Sequence, residues 1–384
     1  MERFVRKGIL LYDFLAVPGG AEKLTFTLLE SLPDIPLCCA FRNKAAFPDE
    51  ILPKAGFMDL NAASNLPVWR ILKVMHAFER KTSFLNDYDW ALFSGIYAPL
   101  AVRNRFRGAN LLYCHTIPRF AYDLKAFYLS RLPFFLRPAF YGLVRLMRHR
   151  YKRALGRMDG IIANSHNVKK RLETYLGRTA TVIHPPVNTE RFCWMGQKDH
   201  YVSLARLENF KRVDLIVDAF RQMPEKKLVV TSSGSEMQRL KKLASDAPNI
   251  HFTGWQTEAQ LCRWIGNAIA AIYIPMDEDF GMSPVESMAA GKPVIGVAEG
   301  GLLETVVPNQ TGILLEPPPT VDAIMAAVYH LTPERALEMR PACETRARLF
   351  TREIFLGKMR TIIDGLNTPP DSDAKTQCRI RISA

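Results

Sequence analysis

Glu278-Asp279-Phe280-Gly281-Met282-Ser283-Pro284-Val285-Glu286-Ser287-Met288-Ala289-Ala290-Gly291-Lys292-Pro293-Val294-Ile295 is the stretch whose reading decides the fold. A Phe-Gly turn separates two carboxylates, a short helix follows, and Gly-Lys-Pro leads into an apolar strand. Ser283 suits an N-cap, Pro284 the first helical position, and Glu286 the third, a Ser-x-x-Glu capping box. A helix N-terminus attracts phosphate, and a carboxylate holds sugar hydroxyls. Together they suggest a nucleotide-sugar site. Local alternatives stand beside this: Glu286 as a cap only, Glu278 as a solvated loop acid, and Asp277-Glu278-Asp279 as a D-x-D metal loop.

Outward from this stretch, short apolar runs alternate with helical patterns. Strands are expected near 8–15, 36–41, 89–93, 111–114 and 160–163, then near 200–204, 227–231, 250–253, 270–274, 293–297 and 313–315. Helices are expected between them, at 20–31, 213–221, 236–245, 257–265 and 284–290 among others. This is the rhythm of two parallel α/β sheets. His184-Pro185-Pro186 stops helix and sheet alike, which sets the boundary between two Rossmann-like halves. Ligands of such sheets bind beyond the C-terminal ends of the strands.

The chain has 384 residues, 48% apolar and 23% charged, enough for two ordinary globular domains. Seven cysteines, odd in number and without a C-x2-C pair, fit a reduced cytoplasmic chain. The basic N-terminus and the run Gly8–Leu15 resemble a signal peptide only superficially, because Asp13 interrupts the run. No run reaches the ~18 apolar residues of a membrane span. Net charge is +13. From Leu124 to Met158 there are nine Lys or Arg, no Asp or Glu, and seven interleaved Phe or Tyr. A solvated basic face, an anionic-lipid surface and a nucleic-acid surface are the three readings. The lipid surface, carried by Arg145, Arg148 and Lys152, is preferred, and nucleic acid is disfavoured because no recognition motif accompanies the charge.

The quoted stretch resembles the retaining glycosyltransferases of family 4, which carry Glu-x7-Glu followed by A-x-G-x-P-V-I. The resemblance continues at Gly300–Val306 and Thr311-Gly312, upstream at Leu204–Asp214, and at Tyr12-Asp13-Phe14, Gly19-Gly20-Ala21-Glu22 and Cys114–Arg119. Glu-Asp-Phe-Gly with Lys-Arg-Val-Asp and Cys-His-Thr is most similar to the GDP-mannose-using branch that builds bacterial surface polysaccharides. The resemblance implies the GT-B fold, two Rossmann-like domains facing across a cleft. Its parts would be 1–183 for the acceptor, 184–350 for the nucleotide-sugar and a helix at 351–366 crossing back; the polar, proline-containing 367–384 reads as a mobile tail.

It also implies roles. Arg206 and Lys211 would bind the diphosphate with backbone N–H groups of Gly281, Met282 and Ser283, and Phe280 would also line the donor. Gly19 and Gly20 would let backbone approach the donor phosphate. Glu278 would hold the donor sugar, Glu286 the ribose, and His115 would stand in the active site. Loops around Trp255 and Gln256 would recognise the base. The departing phosphate would help take the acceptor's proton in a front-face attack, with no metal required. The expected partners are a nucleotide-sugar donor, a lipid-linked or growing saccharide acceptor, and the inner face of the cytoplasmic membrane. Rival readings are a GDP-rhamnose or UDP-hexose donor, a nucleotide-sugar epimerase, and a non-enzymatic basic lipid-binding module. As both cap and ribose ligand, Glu286 is expected to support stability, and Glu278 turnover alone.

Overall fold

The computed structural model describes residues 6–105 and 107–367; of the expected tail at 367–384, Asn367 ends a helix and 368–384 lie outside the described residues. The chain divides into two compact units, one formed by 6–184 with 356–367, the other by Pro185–Phe355. The helix Arg352–Asn367 therefore starts in the second unit and continues in the first, where the Arg6 guanidinium donates to the Leu366 carbonyl.

Among the described residues, the first unit holds seven parallel strands: β1 (Gly8–Tyr12), β2 (Leu37–Cys39), β3 (Phe57–Asp59), β4 (Trp90–Ser94), β5 (Ala109–Cys114), β6 (Gly160–Ala163) and β7 (Thr181–Val182). Their order is β3-β2-β1-β4-β5-β6-β7. Every residue of β1 and β4 is buried, so both faces of the sheet centre are covered, as a parallel sheet requires. The second unit holds β8 (His200–Ser203), β9 (Lys227–Val230), β10 (Ile250–Phe252), β11 (Ala271–Tyr273), β12 (Val294–Val297) and β13 (Gly312–Leu315), in the order β10-β9-β8-β11-β12-β13. In each sheet the strand order reverses at one place, between β1 and β4 and between β8 and β11. All expected strands form; β3 and β7, both at sheet edges, are additional.

Each unit has its own apolar core. One cation is buried with the second. Lys292 precedes β12 with 0% exposure; its ammonium donates to the Gly196 carbonyl at 2.6 Å and lies 3.3 Å from the Trp194 ring centroid. Burial, then repulsion from Arg340, lowers its pKa to about 7. Cys38, Cys39, Cys114, Cys262 and Cys343 are buried, and Cys193 is exposed. Burial pushes the Cys38 and Cys343 thiols up to about 12. Among the described residues, no helix is long and apolar enough to cross a membrane.

Candidate active site

In the second unit, the loops leaving β8, β9, β11 and β12 gather the candidate residues at one sheet edge, on both sides of the strand-order reversal. The β8 loop carries Arg206 and Lys211. Its Leu207 N–H donates to the Ser233 carbonyl at 3.1 Å, and a Cβ on Gly234 would stand 2.4 Å from the Leu207 oxygen. The turn Thr231-Ser232-Ser233-Gly234 thus needs its glycine for backbone contact. Arg206 is exposed. Arg212 has φ +53, turns the loop into the helix Val213–Arg221, and pairs with Glu299.

Lys211 and Glu278 meet directly, ammonium to carboxylate at 2.5 Å, and both side chains are largely buried. Sequence reasoning missed the third member of this group. Tyr273 ends β11, and its hydroxyl accepts from Lys211 at 3.3 Å. Burial, then the Glu278 charge, raises the Tyr273 pKa far above its ordinary value, so the phenol keeps its proton and serves as a donor to Glu278. No local motif marks Tyr273; only the pairing of β11 with β8 puts it there.

The turn before the helix is held from below. Gly300 (φ +63) and Gly301 press against it: their Cβ atoms would lie 2.4 Å from the Glu278 oxygen and 2.3 Å from the Phe280 Cα. The Gly301 N–H donates to the Glu278 carbonyl at 2.8 Å.

Two expectations need correcting here. The helix runs Met282–Ala289 with Gly281 (φ +93) as its N-cap, so Ser283 is not the cap and Glu286 closes no capping box. The left-handed Gly281 lets the helix begin earlier, and Pro284 fits the first turn, where N–H groups lack intrahelical partners. Instead of capping, Glu286 faces the Tyr273 side, where its charge adds to raising the phenol's pKa. The Phe280 side chain is only 2% exposed and packs edge-on to Phe350 at 5.4 Å, so it belongs to the core and offers a ligand no more than its backbone.

In the first unit the corresponding edge gathers Asp13, Gly19, Gly20, Ser94 and His115. His115 follows β5; its Nε2 lies 2.9 Å from the Ser94 Oγ, and its ring stands edge-on to Tyr113 at 5.1 Å. Gly19 is the N-cap of the helix Gly20–Ser31, in extended backbone that does not itself demand glycine. The Asp13 carboxylate accepts the N–H groups of Ile96, Tyr97 and Ala98, each at 2.7 Å. Burial outweighs these bonds and raises its pKa to about 6. Gly95, at φ +118, leaves room for it, since a Cβ there would lie 2.4 Å from the Asp13 Cγ.

Arg145, Arg148 and Lys152 share one face of the helix Arg137–Leu155. Arg148 is not a purely surface cation: its Nε donates to the Ala121 carbonyl at 2.6 Å, and its guanidinium lies 5.0 Å from the Tyr122 ring centroid. Nearby, Arg150 pairs with Glu79 at 2.7 Å.

Comparison with known proteins adds three findings. Residues 18–191 match the family model described as "Glycosyltransferase Family 4", and 194–350 the model described as "Glycosyl transferases group 1". An alpha-1,3/1,6-mannosyltransferase of Dictyostelium discoideum is 27% identical over 42% of this chain and 50% of its own length. A GDP-mannose-dependent alpha-(1-6)-phosphatidylinositol monomannoside mannosyltransferase of Mycolicibacterium smegmatis is 28% identical over 47% of this chain and 55% of its own. The chain spans about half the length of the curated relatives it matches. Among solved structures, a sucrose-phosphate synthase from Thermosynechococcus elongatus superposes with TM-score 0.78 at 19% identity, over 94% of this chain and 99% of that one. A glycosyltransferase involved in lipopolysaccharide biosynthesis, WaaG, gives TM-score 0.70 at 13% identity, over 93% and 100%. These structural likenesses show the GT-B fold.

Proposed function

From the premise that the chain belongs to the family 4 glycosyltransferases, we propose that it moves mannose from GDP-mannose to a lipid-linked or growing saccharide, with retention at the anomeric carbon. The observation that carries the reading is the Lys211–Glu278–Tyr273 group standing beside a helix N-terminus at the strand-order reversal. Mannosyltransferase relatives support the sugar, and one relative's phosphatidylinositol-linked acceptor supports a lipid-linked one.

In this proposal Arg206, Lys211 and the N–H groups at the start of the Met282–Ala289 helix neutralise the departing diphosphate. Glu278, held in place by Tyr273 and Lys211, accepts hydrogen bonds from the sugar hydroxyls, and Glu286 from the ribose. On the first unit, Gly19 and Gly20 let backbone approach a phosphate or the acceptor; on the second, Trp255, 75% exposed in the loop after β10, is available to stack on the base. The bond from the anomeric carbon to the diphosphate oxygen breaks, and the acceptor oxygen bonds to the same face. The acceptor's proton passes to the departing phosphate; His115 is the active-site residue proposed on the first unit. Fixed cations and backbone N–H groups do the work of a metal ion. Arg145 and Lys152 draw the protein to an anionic membrane surface.

The test is a screen of GDP- and UDP-sugars for thermal stabilisation and then for hydrolysis, repeated in excess EDTA. GDP-mannose is expected to stabilise the protein and to be turned over in EDTA. Preference for a UDP-sugar would overturn the donor assignment; loss of turnover restored by Mn²⁺ would overturn the metal-free one.

A further inference from the structure

The helices Lys125–Ser130 and Arg137–Leu155 are joined by a turn that shows its apolar residues to solvent. In the 3-10 turn Phe134–Leu136, Phe134 is 80% exposed, Phe135 66% and Leu136 43%. The two phenyl rings stand edge-to-face at 5.8 Å, so they shield each other only partly. The long helix behind them is anchored in the core through Val144, Met147, Tyr151, Ala154 and Leu155. An exposed apolar tip on a fixed support is costly in water and marks a contact surface.

The surroundings identify the partner. Arg131 stacks 3.7 Å from the Phe127 ring centroid, and Lys125 lies 4.7 Å from that of Tyr141. No acidic residue occurs between Leu124 and Met158. Rings at the tip with cations set around them match a bilayer interface, where aromatic side chains sit at headgroup depth and cations meet anionic lipid.

We propose that Phe134, Phe135 and Leu136 form a wedge that enters an anionic leaflet, so that attachment is not electrostatic alone. This rests on the membrane-surface reading of Arg145 and Lys152 but differs from it in kind. Charge draws the protein to the surface and is screened by salt, whereas the wedge is buried in lipid and is not.

The experiment is flotation with vesicles of phosphatidylcholine containing phosphatidylglycerol, and of phosphatidylcholine alone, at low and high salt. The wild-type chain is expected to bind the anionic vesicles and to keep a salt-resistant fraction. Phe134→Ser with Phe135→Ser should cut partitioning on the order of a hundredfold and remove that fraction. Arg145→Glu with Lys152→Glu should instead weaken binding at low salt. Melting temperature and circular dichroism check that each variant is folded. Phe135→Trp supplies a depth probe, its emission expected to shift to the blue and to be quenched by brominated acyl chains. Binding without that shift and quenching overturns insertion while leaving electrostatic adsorption in place. No binding of the wild type to anionic vesicles overturns both. If the serine variant binds vesicles normally and instead turns a dimer into a monomer in sedimentation velocity, the wedge is a self-association surface and the proposal is wrong.

Discussion

Glu278 and Lys211 neutralise one another at 2.5 Å in a largely buried setting, and this reverses the expected effects of replacing the two glutamates. Glu278→Gln leaves Lys211 without a charged partner. It should lower stability by about 1–3 kcal/mol and, in the proposed role, slow turnover about ten- to hundredfold. Glu286 closes no capping box, so Glu286→Gln should leave urea stability within about 0.5 kcal/mol while weakening donor binding. Near-normal turnover in Glu278→Gln would remove that residue from the donor site. Lys292 yields a pH-dependent prediction. Its folded pKa of about 7 lies below the ordinary 10.5. Between those values the folded chain holds fewer protons than the unfolded one, so this group's contribution to stability rises with pH across that window. Below pH 7 the buried charge costs most. Lys292→Met should therefore compare best with the wild type near pH 6 and progressively worse toward pH 10. Urea unfolding at several pH values checks this; a difference independent of pH would show that Lys292 titrates normally.

At the scale of elements, the loops leaving the strands decide what each sheet edge presents. Gly301→Ala forces a Cβ to within 2.3 Å of the Phe280 Cα and must displace the turn before the Met282–Ala289 helix. A loss of about 1–3 kcal/mol is expected, together with weaker stabilisation by the nucleotide-sugar. Unchanged melting with and without donor would mean that the turn adapts freely. These elements were unevenly legible in the sequence. Near-continuous apolar runs such as Gly8–Tyr12 and Trp90–Ser94 give buried parallel strands away plainly. The edge strands β3 and β7, of three and two residues, are too short to leave a pattern. Local rules misplace the helix start, because Ser283-Pro284 fits an N-cap and first position while the left-handed Gly281 permits an earlier one. Lys211 and Glu278 were nominated separately from motifs. That they bond to each other and to Tyr273 depends on β8 lying beside β11, a pairing of residues some seventy positions apart that no local window contains.

The whole molecule is two units, each with its own core and its own reversal of strand order. The buried thiols are divided between them: Cys38, Cys39 and Cys114 in the first, Cys262 and Cys343 in the second. A buried thiol reacts with an alkylating reagent only when the surrounding structure opens, and burial also holds Cys38 and Cys343 protonated. Exposed Cys193 marks the rate without such protection. Each buried cysteine is thus a clock for the opening of its own unit, read by mass spectrometry of its peptide without any engineered label. Donor at ~100 times its dissociation constant contributes about 2.7 kcal/mol, which slows alkylation about a hundredfold wherever opening must first release the ligand. On the proposed donor site, Cys262 and Cys343 should slow by that factor. Slowing confined to Cys38, Cys39 and Cys114 would place the donor on the other unit. The same three thiols, timed on anionic vesicles, would report whether the lipid surface steadies the first unit as a substrate steadies the second.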